Sequence, residues 1–326
     1  MDTQPNVLPQ TGENLSGGAA MDTSQNVSPR TNNVPNITAP SIGSSAMLVD
    51  LSISQWTGRK KDKKASKDVT ADNNAESGVA NVHKKLLGNC AELDAIHKKT
   101  GSIRNHTHYM MTMPWSDSGT RLLPTAQYFE YHNTMTGLKT EWQSLVDTFL
   151  SMYDWEISQA EAKLGDLFDR TEYPTASELS MRFSFNIAYA PLPDAGDFRV
   201  DIPNDAVNEI KKTYGDYYTR NIQAAMNDVW TRLHTALTNM SQRLDYSDSG
   251  TKNIFRDSLV TNVVDMIKIL DVCNVTGDTH MTTLKNKLED TMYSVSADVL
   301  RENSDKREET KRAVDKIISE LPSIEI

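Results

Sequence analysis

The chain has 326 residues, of which 38% are hydrophobic, and a formal net charge of -10. This length suffices for one large domain or two modest ones. So acidic a chain is not steered as a whole toward nucleic acid or anionic lipid, and any such binding requires a local basic patch. No apolar run reaches the roughly 18 residues of a membrane span, and no signal peptide is recognisable, so we expect no membrane attachment or export.

The N-terminal part predicts a tail, a strand and a linker. Residues 1–46 are rich in Asn, Thr, Ser, Pro and Gly and contain no aromatic residue, so they cannot bury enough surface to offset ordering entropy and predict a disordered tail. Apolar and polar residues alternate over 48–54, which predicts a short β-strand. The charged and polar residues that complete the segment 47–77 predict a basic linker.

The remainder, residues 78–326, predicts a helical domain. Apolar residues three or four positions apart predict helices over 78–99, 125–168, 205–244, 252–273 and 279–302, and a short last helix over 313–321. Residues 105–124 predict a loop, and alternation near 183–202 around a Pro- and Gly-containing turn predicts a β-hairpin. The fold class expected is therefore mainly α: a long-helix bundle with coiled-coil-like helices, a small β-hairpin element and a disordered N-terminal tail.

Two local patterns carry further expectations. The apolar seam over 205–244 is long enough to favour a protein partner or self-association through the long amphipathic helices. Thr175 and Glu178 have the spacing of a capping box for a short helix. Cys90 and Cys273 lie far apart on helical patterns, which predicts two buried free thiols in a reducing compartment.

The chain lacks the common catalytic motifs. It contains no Walker A, G-x-G-x-x-G, H-E-x-x-H or G-x-S-x-G pattern, so we expect no catalytic residues and no cofactor. His106 and His108 could bind a metal ion together, but no third ligand lies at a known ligand spacing, so no metal site is predicted. Asp194, Asp197 and Asp201 could bind a cation, although Asp is common beside turns for local backbone bonding.

A basic run is the sharpest feature of the sequence. It carries six positive charges against the one negative charge of Asp62, and it follows an indole that could stack on a base. The nucleic-acid-binding candidates are Trp56, Arg59, Lys60, Lys61, Lys63, Lys64 and Lys67. The alternative is a solvated charge run. The helical aromatics have core spacing and predict packing: Tyr128, Tyr131, Trp142, Phe149, Trp155 and Trp230.

Several stretches are distinctive in combination. The first are Val49-Asp50-Leu51-Ser52-Ile53 and Trp56-Thr57-Gly58-Arg59-Lys60-Lys61-Asp62-Lys63-Lys64. The later ones are Met113-Pro114-Trp115 with Asp117, Gly119, Arg121 and Leu122; Tyr173-Pro174 with Arg182-Phe183; and Pro193-Asp194-Ala195-Gly196-Asp197-Phe198-Arg199-Val200-Asp201. Together they resemble an uncharacterised protein family of tailed bacteriophages and prophages, over residues 47–270. The resemblance implies a phage protein in the host cytoplasm, with an AAA+ ATPase of the MoxR type as a candidate partner, and supplies no mechanism.

Three functional hypotheses follow. The first is a non-enzymatic interaction, assembly or adaptor protein of the infected cell, because long amphipathic helices occur without catalytic motifs. The second is a nucleic-acid-binding accessory protein of phage DNA metabolism that uses residues 59–67. The third is an enzyme in which the 105–124 loop meets Asp194 and Asp197 at a deep pocket.

Overall fold

The computed structural model describes residues 42–193, 204–245 and 256–323. Over these ranges the chain is mainly α-helical with a small antiparallel sheet, which confirms the predicted fold class. Most of the predicted tail, residues 1–41, lies outside the described residues. Its last five residues are part of the fold, because Ile42 and Ala46 are both 1% exposed and belong to a hydrophobic core.

Among the described residues, strands and helices are interspersed as far as Pro191, and only helices follow. The strands are β1 (Ala46–Ser54), β2 (Arg59–Asp62), β3 (Val82–Lys85), β4 (Met113–Pro114), β5 (Arg121–Pro124) and β6 (Ser184–Pro191). The helices of the N-terminal half are α1 (Lys63–Asp72), α2 (Ala91–Ser102), α3 (Tyr109–Met111), α4 (Tyr128–Leu164) and α5 (Ala176–Ser180). Those of the C-terminal half are α6 (Asn204–Leu244), α7 (Asp257–Cys273), α8 (Thr279–Met292), α9 (Ala297–Glu302) and α10 (Ser304–Glu320).

The main sheet has the order β4-β5-β1-β6, and β1 is antiparallel to both of its neighbours. Side chains of β1 alternate between two apolar cores, as the two-residue period of a strand requires. Val49 and Ile53 are buried on the face toward α2 and α4, whereas Ala46 and Leu48 pack toward the C-terminal helices. The sheet therefore separates the two cores. The predicted strand at 48–54 is confirmed. The first half of the predicted hairpin near 183–202 is a strand, β6, which pairs with β1, and residues 194–202 of that prediction lie outside the described residues.

Helix α4 lies over one face of the sheet and buries most of its predicted stripe. Tyr131, Met135, Trp142 and Phe149 have no exposed surface. Trp155 is one of the helical aromatics predicted to pack, but it is 55% exposed, so this prediction is wrong. It follows Phe149 by six positions, which at 3.6 residues per turn places it well off the buried stripe.

Helix α6 confirms the predicted helix over 205–244 and packs against α7 and α10. The C-terminal half of the α6 seam is buried by the helices of its own chain, since Val229, Leu233, Leu237 and Met240 have no exposed surface. Nearer the N-terminus of α6, Tyr214 is half-buried and Tyr217 is 36% exposed, so self-association through this helix stays a prediction.

Several predicted boundaries are wrong, and the helix predicted over 279–302 is divided into α8 and α9. The helix over 78–99 begins only at Ala91, because Gly88 has a positive φ of 61° and residues 82–85 pair with β2. The loop over 105–124 contains a π-helical turn (Ile103–His108), α3, β4 and β5. The last helix begins at Ser304, where the Asn303 side chain accepts a hydrogen bond from the Lys306 amide.

Several local predictions are confirmed. Thr175 and Glu178 form both hydrogen bonds of the capping box at the start of α5. Cys90 and Cys273 are buried free thiols. Within the described ranges, no helix combines the length and the apolar character that crossing a bilayer demands.

Candidate nucleic-acid interface

The predicted basic linker is in fact an ordered β-ribbon followed by a helix. β2 pairs antiparallel with β3 in a two-stranded sheet of their own. The Leu86 amide donates a hydrogen bond to the Gly58 carbonyl at 2.7 Å, which closes the base of the ribbon. Gly58 has a φ of 62°, and a Cβ there would lie 2.7 Å from Leu93 Cδ2, so only glycine fits this position.

The register of the ribbon places basic side chains opposite one another. Arg59 is opposite Lys85, Lys60 is opposite Lys84, and Lys61 is opposite His83. Like charges at directly opposed positions destabilise a strand pair, each by a few tenths of a kcal/mol up to about 1 kcal/mol. The ribbon thus retains a charge arrangement that opposes its own stability.

One face of the ribbon is neutralised by the protein. Lys84 Nζ lies 2.7 Å from Glu172 Oε2 and also donates to the Leu167 carbonyl at 2.7 Å. Lys60 Nζ lies 3.8 Å from Glu172 Oε1. This face therefore anchors the ribbon to the segment after α4.

The other face carries exposed cations. Arg59, Lys61 and Lys85 are exposed, and within the described residues none of them forms an ion pair. Lys85 Nζ donates only to the neutral Asn89 side chain, at 3.3 Å. His83 is exposed beside them. This set of four residues on one face is the start of the basic surface, which α1 extends.

Helix α1 adds Lys63, Lys64 and Lys67, which are also exposed and without an ion pair in the described part of the chain. Its first turn contains no acidic residue, and Lys63 and Lys64 lie where the helix macrodipole is positive, which costs about 0.3–1 kcal/mol for each charge. A hydrogen bond of 2.9 Å from the Val82 amide to Ser66 Oγ fixes α1 against the ribbon.

A shallow depression lies between α1 and the residues that lead into β3. It has a volume of about 240 Å³, and three of its lining side chains are Lys61, Lys63 and Lys67. Ser66 and Thr70 line the same depression, but their hydroxyls already donate to the carbonyls of Asp62 and Lys67. Ammonium groups around a concave surface suit the oxygen atoms of a phosphate group. We call the exposed ribbon face, the three lysines of α1 and this depression together the basic surface.

Trp56 is not part of the basic surface. Its indole is 5% exposed and packs on Phe149, with ring centroids 6.2 Å apart, and against the edge of Tyr153 at 6.0 Å. The expectation that Trp56 stacks on a base is therefore wrong for this structure, because the indole is buried in the hydrophobic core beneath α4. The Trp56 carbonyl contacts His97 Nε2 at 2.9 Å.

The two loop histidines do not act together. Both lie in the π-helical turn, but His106 is exposed and His108 is buried, with Nδ1 2.7 Å from the Tyr131 hydroxyl. Burial, and after it the positive charge of Arg121, lowers the pKa of His108 to about 4. The Asp194, Asp197 and Asp201 cluster lies outside the described residues.

Sequence reasoning missed the second strand of the ribbon. The apolar spacing over 78–99 predicts a helix that includes His83, Lys84 and Lys85. The available signal for a basic surface at this position is that these three consecutive residues are all basic. Comparisons of this chain with protein-family models, with curated proteins and with solved structures find no match. The geometry of the basic surface is therefore the basis of the functional argument.

Proposed function

We propose that this is a non-enzymatic nucleic-acid-binding protein that contacts the phosphate backbone through the basic surface. The observation that carries the proposal is the ribbon register, which holds exposed cations opposite one another and without acidic partners in the described chain. Phosphate groups would neutralise these charges and remove both the cross-strand and the macrodipole repulsion.

The chemistry of the basic surface favours binding without sequence preference. Five of its cations are lysines on flexible stems, and the aromatic side chain beside the run is buried. Lysine contacts phosphate as a point charge, and reading of bases requires side chains placed in a groove or a stacking platform. The whole chain has a net charge of -10, so the surface outside these cations is more negative still, which would keep it away from the nucleic acid and so orient the complex.

The test is a salt titration of binding to labelled duplex and single-stranded DNA with the full chain. The variant changes Lys61, Lys63 and Lys67 to Ala, and the matched control changes the exposed Lys98, Lys139 and Lys316 to Ala. We expect the slope of log K against log salt for duplex DNA to fall by about 0.9 for each lost phosphate contact. Equal slopes for the variant, the control and the unchanged chain would reject the proposal.

A protein partner is the second candidate function. Several large apolar side chains remain exposed, among them Phe129, Trp155, Met181 and Tyr293. Exposed aromatic residues are enriched at protein interfaces, so these positions support an adaptor or assembly role. Light scattering of the full chain, alone and with a MoxR-type ATPase, tests this candidate, and a loss of any complex in a Trp155→Ser variant would support it.

The cellular location proposed for both candidate functions rests on the resemblance alone. The proposed location is the cytoplasm of a phage-infected cell, because the distinctive stretches resemble a family of tailed bacteriophages and prophages. Fractionation of infected cells with an antibody to the chain tests the location. Recovery of the chain only in uninfected hosts or in another compartment would reject it.

A further inference from the structure

Three potential metal-ligand atoms converge beneath the ribbon. Cys90, Glu92 and Glu156 each place one sulfur or oxygen atom so that all three lie within 4.8 Å of one another. Cys90 immediately precedes α2, Glu92 is in the first turn of α2, and Glu156 is on α4. The packing of α2 on α4 therefore assembles the group from two separate parts of the chain.

Glu156 is the unusual member of this group. Its residue is only 3% exposed, and its Oε2 atom makes no hydrogen bond with any described residue. No described Lys, Arg or His forms an ion pair with it either. A buried carboxylate without a partner is costly, because its desolvation is not compensated by a hydrogen bond or an opposite charge.

We propose that Cys90, Glu92 and Glu156 bind a divalent transition-metal ion of the Zn²⁺ class. The Cys90 thiol donates a hydrogen bond to Glu92 Oε2 with an Sγ–Oε2 distance of 3.6 Å, and the ion would take the place of that proton. Two ligand atoms on a tetrahedral Zn²⁺, with Zn–S of about 2.3 Å and Zn–O of about 2.1 Å, are separated by roughly 3.6 Å. The first edge of the tetrahedron is therefore already formed, and Glu156 supplies the third vertex while water takes the fourth.

The donor set selects among metals. A thiolate favours Zn²⁺ and similar ions, whereas Mg²⁺ and Ca²⁺ prefer oxygen atoms alone. The positive charge of the ion would also compensate the two carboxylates, which no neighbouring cation does in the described structure. His97 lies nearby, but its Nε2 contacts the Trp56 carbonyl, so it is not counted as a ligand.

A small pocket borders one side of this group. It has a volume of about 30 Å³ and is lined by Cys90, Gly58 and His97, whereas Glu92 and Glu156 do not line it. The pocket is therefore a route by which a water molecule or an ion can reach Cys90, and not the ligand site itself. Without a cation, burial and the nearby Glu156 and Glu92 carboxylates raise the pKa of Cys90 to about 12. Formation of the Zn–S bond displaces the thiol proton to solvent, and no electron transfer is involved.

The first experiment uses the full chain after metal removal, with Co²⁺ as a spectroscopic probe. We expect one equivalent of Co²⁺ to produce a thiolate-to-metal charge-transfer band, and Zn²⁺ to abolish that band by displacement. Cys90→Ser should remove the band, and the matched control Cys273→Ser, at the other buried thiol, should keep it. Absence of the band in the unchanged chain, or its persistence in Cys90→Ser, would overturn the proposal.

A second measurement distinguishes a ligand from a merely structural residue. Without metal, Glu156→Gln should melt at the same temperature as the unchanged chain or above it, because it removes an unpartnered buried charge. With Zn²⁺ at a hundredfold excess over Kd, the Tm of the unchanged chain should rise by roughly 5 °C and that of Glu156→Gln should not. The exposed Glu161→Gln on the same helix is the control and should behave as the unchanged chain. Equal Zn²⁺ shifts in Glu156→Gln and Glu161→Gln would contradict the assignment.

Discussion

The two cores that the sheet separates are built in different ways. The core beneath α4 is rich in aromatic rings and contains buried polar groups that are hydrogen-bonded, such as His108 with Tyr131 and Trp142 with Thr100. The core of the C-terminal helices is mostly aliphatic and Met side chains, with one longer buried hydrogen bond described, from the Ile42 amide to the Tyr218 hydroxyl at 3.5 Å. Directional side-chain contacts are therefore more prominent in the first core, and apolar packing in the second.

The largest expected difference between the cores is at Trp142, which is fully buried and donates from Nε1 to Thr100 Oγ1 at 2.8 Å. Trp142→Ala should lower the free energy of unfolding by about 3–5 kcal/mol. Trp142→Phe should still cost about 1–3 kcal/mol, because it leaves the Thr100 hydroxyl unpartnered. Urea unfolding measures both.

The matched change in the C-terminal core is Leu237→Met, at a residue with no exposed surface. It conserves volume and breaks no hydrogen bond, so it should cost less than about 1.5 kcal/mol. If Trp142→Phe costs no more than Leu237→Met, the contrast between directional and apolar packing is lost.

His108 should make the first core sensitive to acid. Burial first, then Arg121, lowers its folded-state pKa to about 4, against the opposing effect of Asp50. The unfolded chain therefore binds a proton first as pH falls through 6.5. Stability is complete above pH 6.5 and decreases between pH 6.5 and 4, by on the order of 3 kcal/mol in total.

The measurement is the free energy of unfolding as a function of pH. His108→Gln should flatten the profile between pH 6.5 and 4, and the exposed His106→Gln should leave it unchanged. A profile of the same slope in both variants would show that another group carries the acid sensitivity.

Helix caps should respond alike on both sides of the sheet, because a cap acts locally. Thr175 caps α5, and Asp278 caps α8 by accepting from the His280 amide at 2.8 Å and the Met281 amide at 3.2 Å. Thr175→Ala and Asp278→Ala should each cost about 1 kcal/mol in urea unfolding. A much larger cost at only one cap would show that it supports its core and not just its helix.

The smallest stability effect is expected in the ribbon, outside both cores. Arg59→Glu replaces a cation opposite Lys85 by an anion, so it should stabilise the chain by about 0.2–1 kcal/mol. The same change should weaken DNA binding. The exposed Lys98→Glu is the control and should leave DNA binding unchanged. A destabilised Arg59→Glu would show that the charges opposed across the ribbon do not reduce its stability.

Regions with periodic or local sequence signals could be predicted, and regions that depend on tertiary packing could not. Helices α4 and α6, strand β1 and the capping box at Thr175 were predictable because their signals are periodic or local. The ribbon was not, because β3 pairs with residues 20 to 26 positions earlier, and tertiary pairing overrides a weak helical pattern. Likewise, Cys90 and Glu156 meet only because α2 packs on α4, which no local spacing reveals.

The central position of β1 has a consequence for synthesis on the ribosome. This strand is made before either neighbour, and β6 is not complete until Pro191. At ordinary translation rates β1 keeps two unpaired edges for on the order of ten seconds, during which it is open to pairing between nascent chains. Asp50, Ser52 and Ser54 are exposed on its polar side, and they interrupt the apolar run as gatekeepers against aggregation.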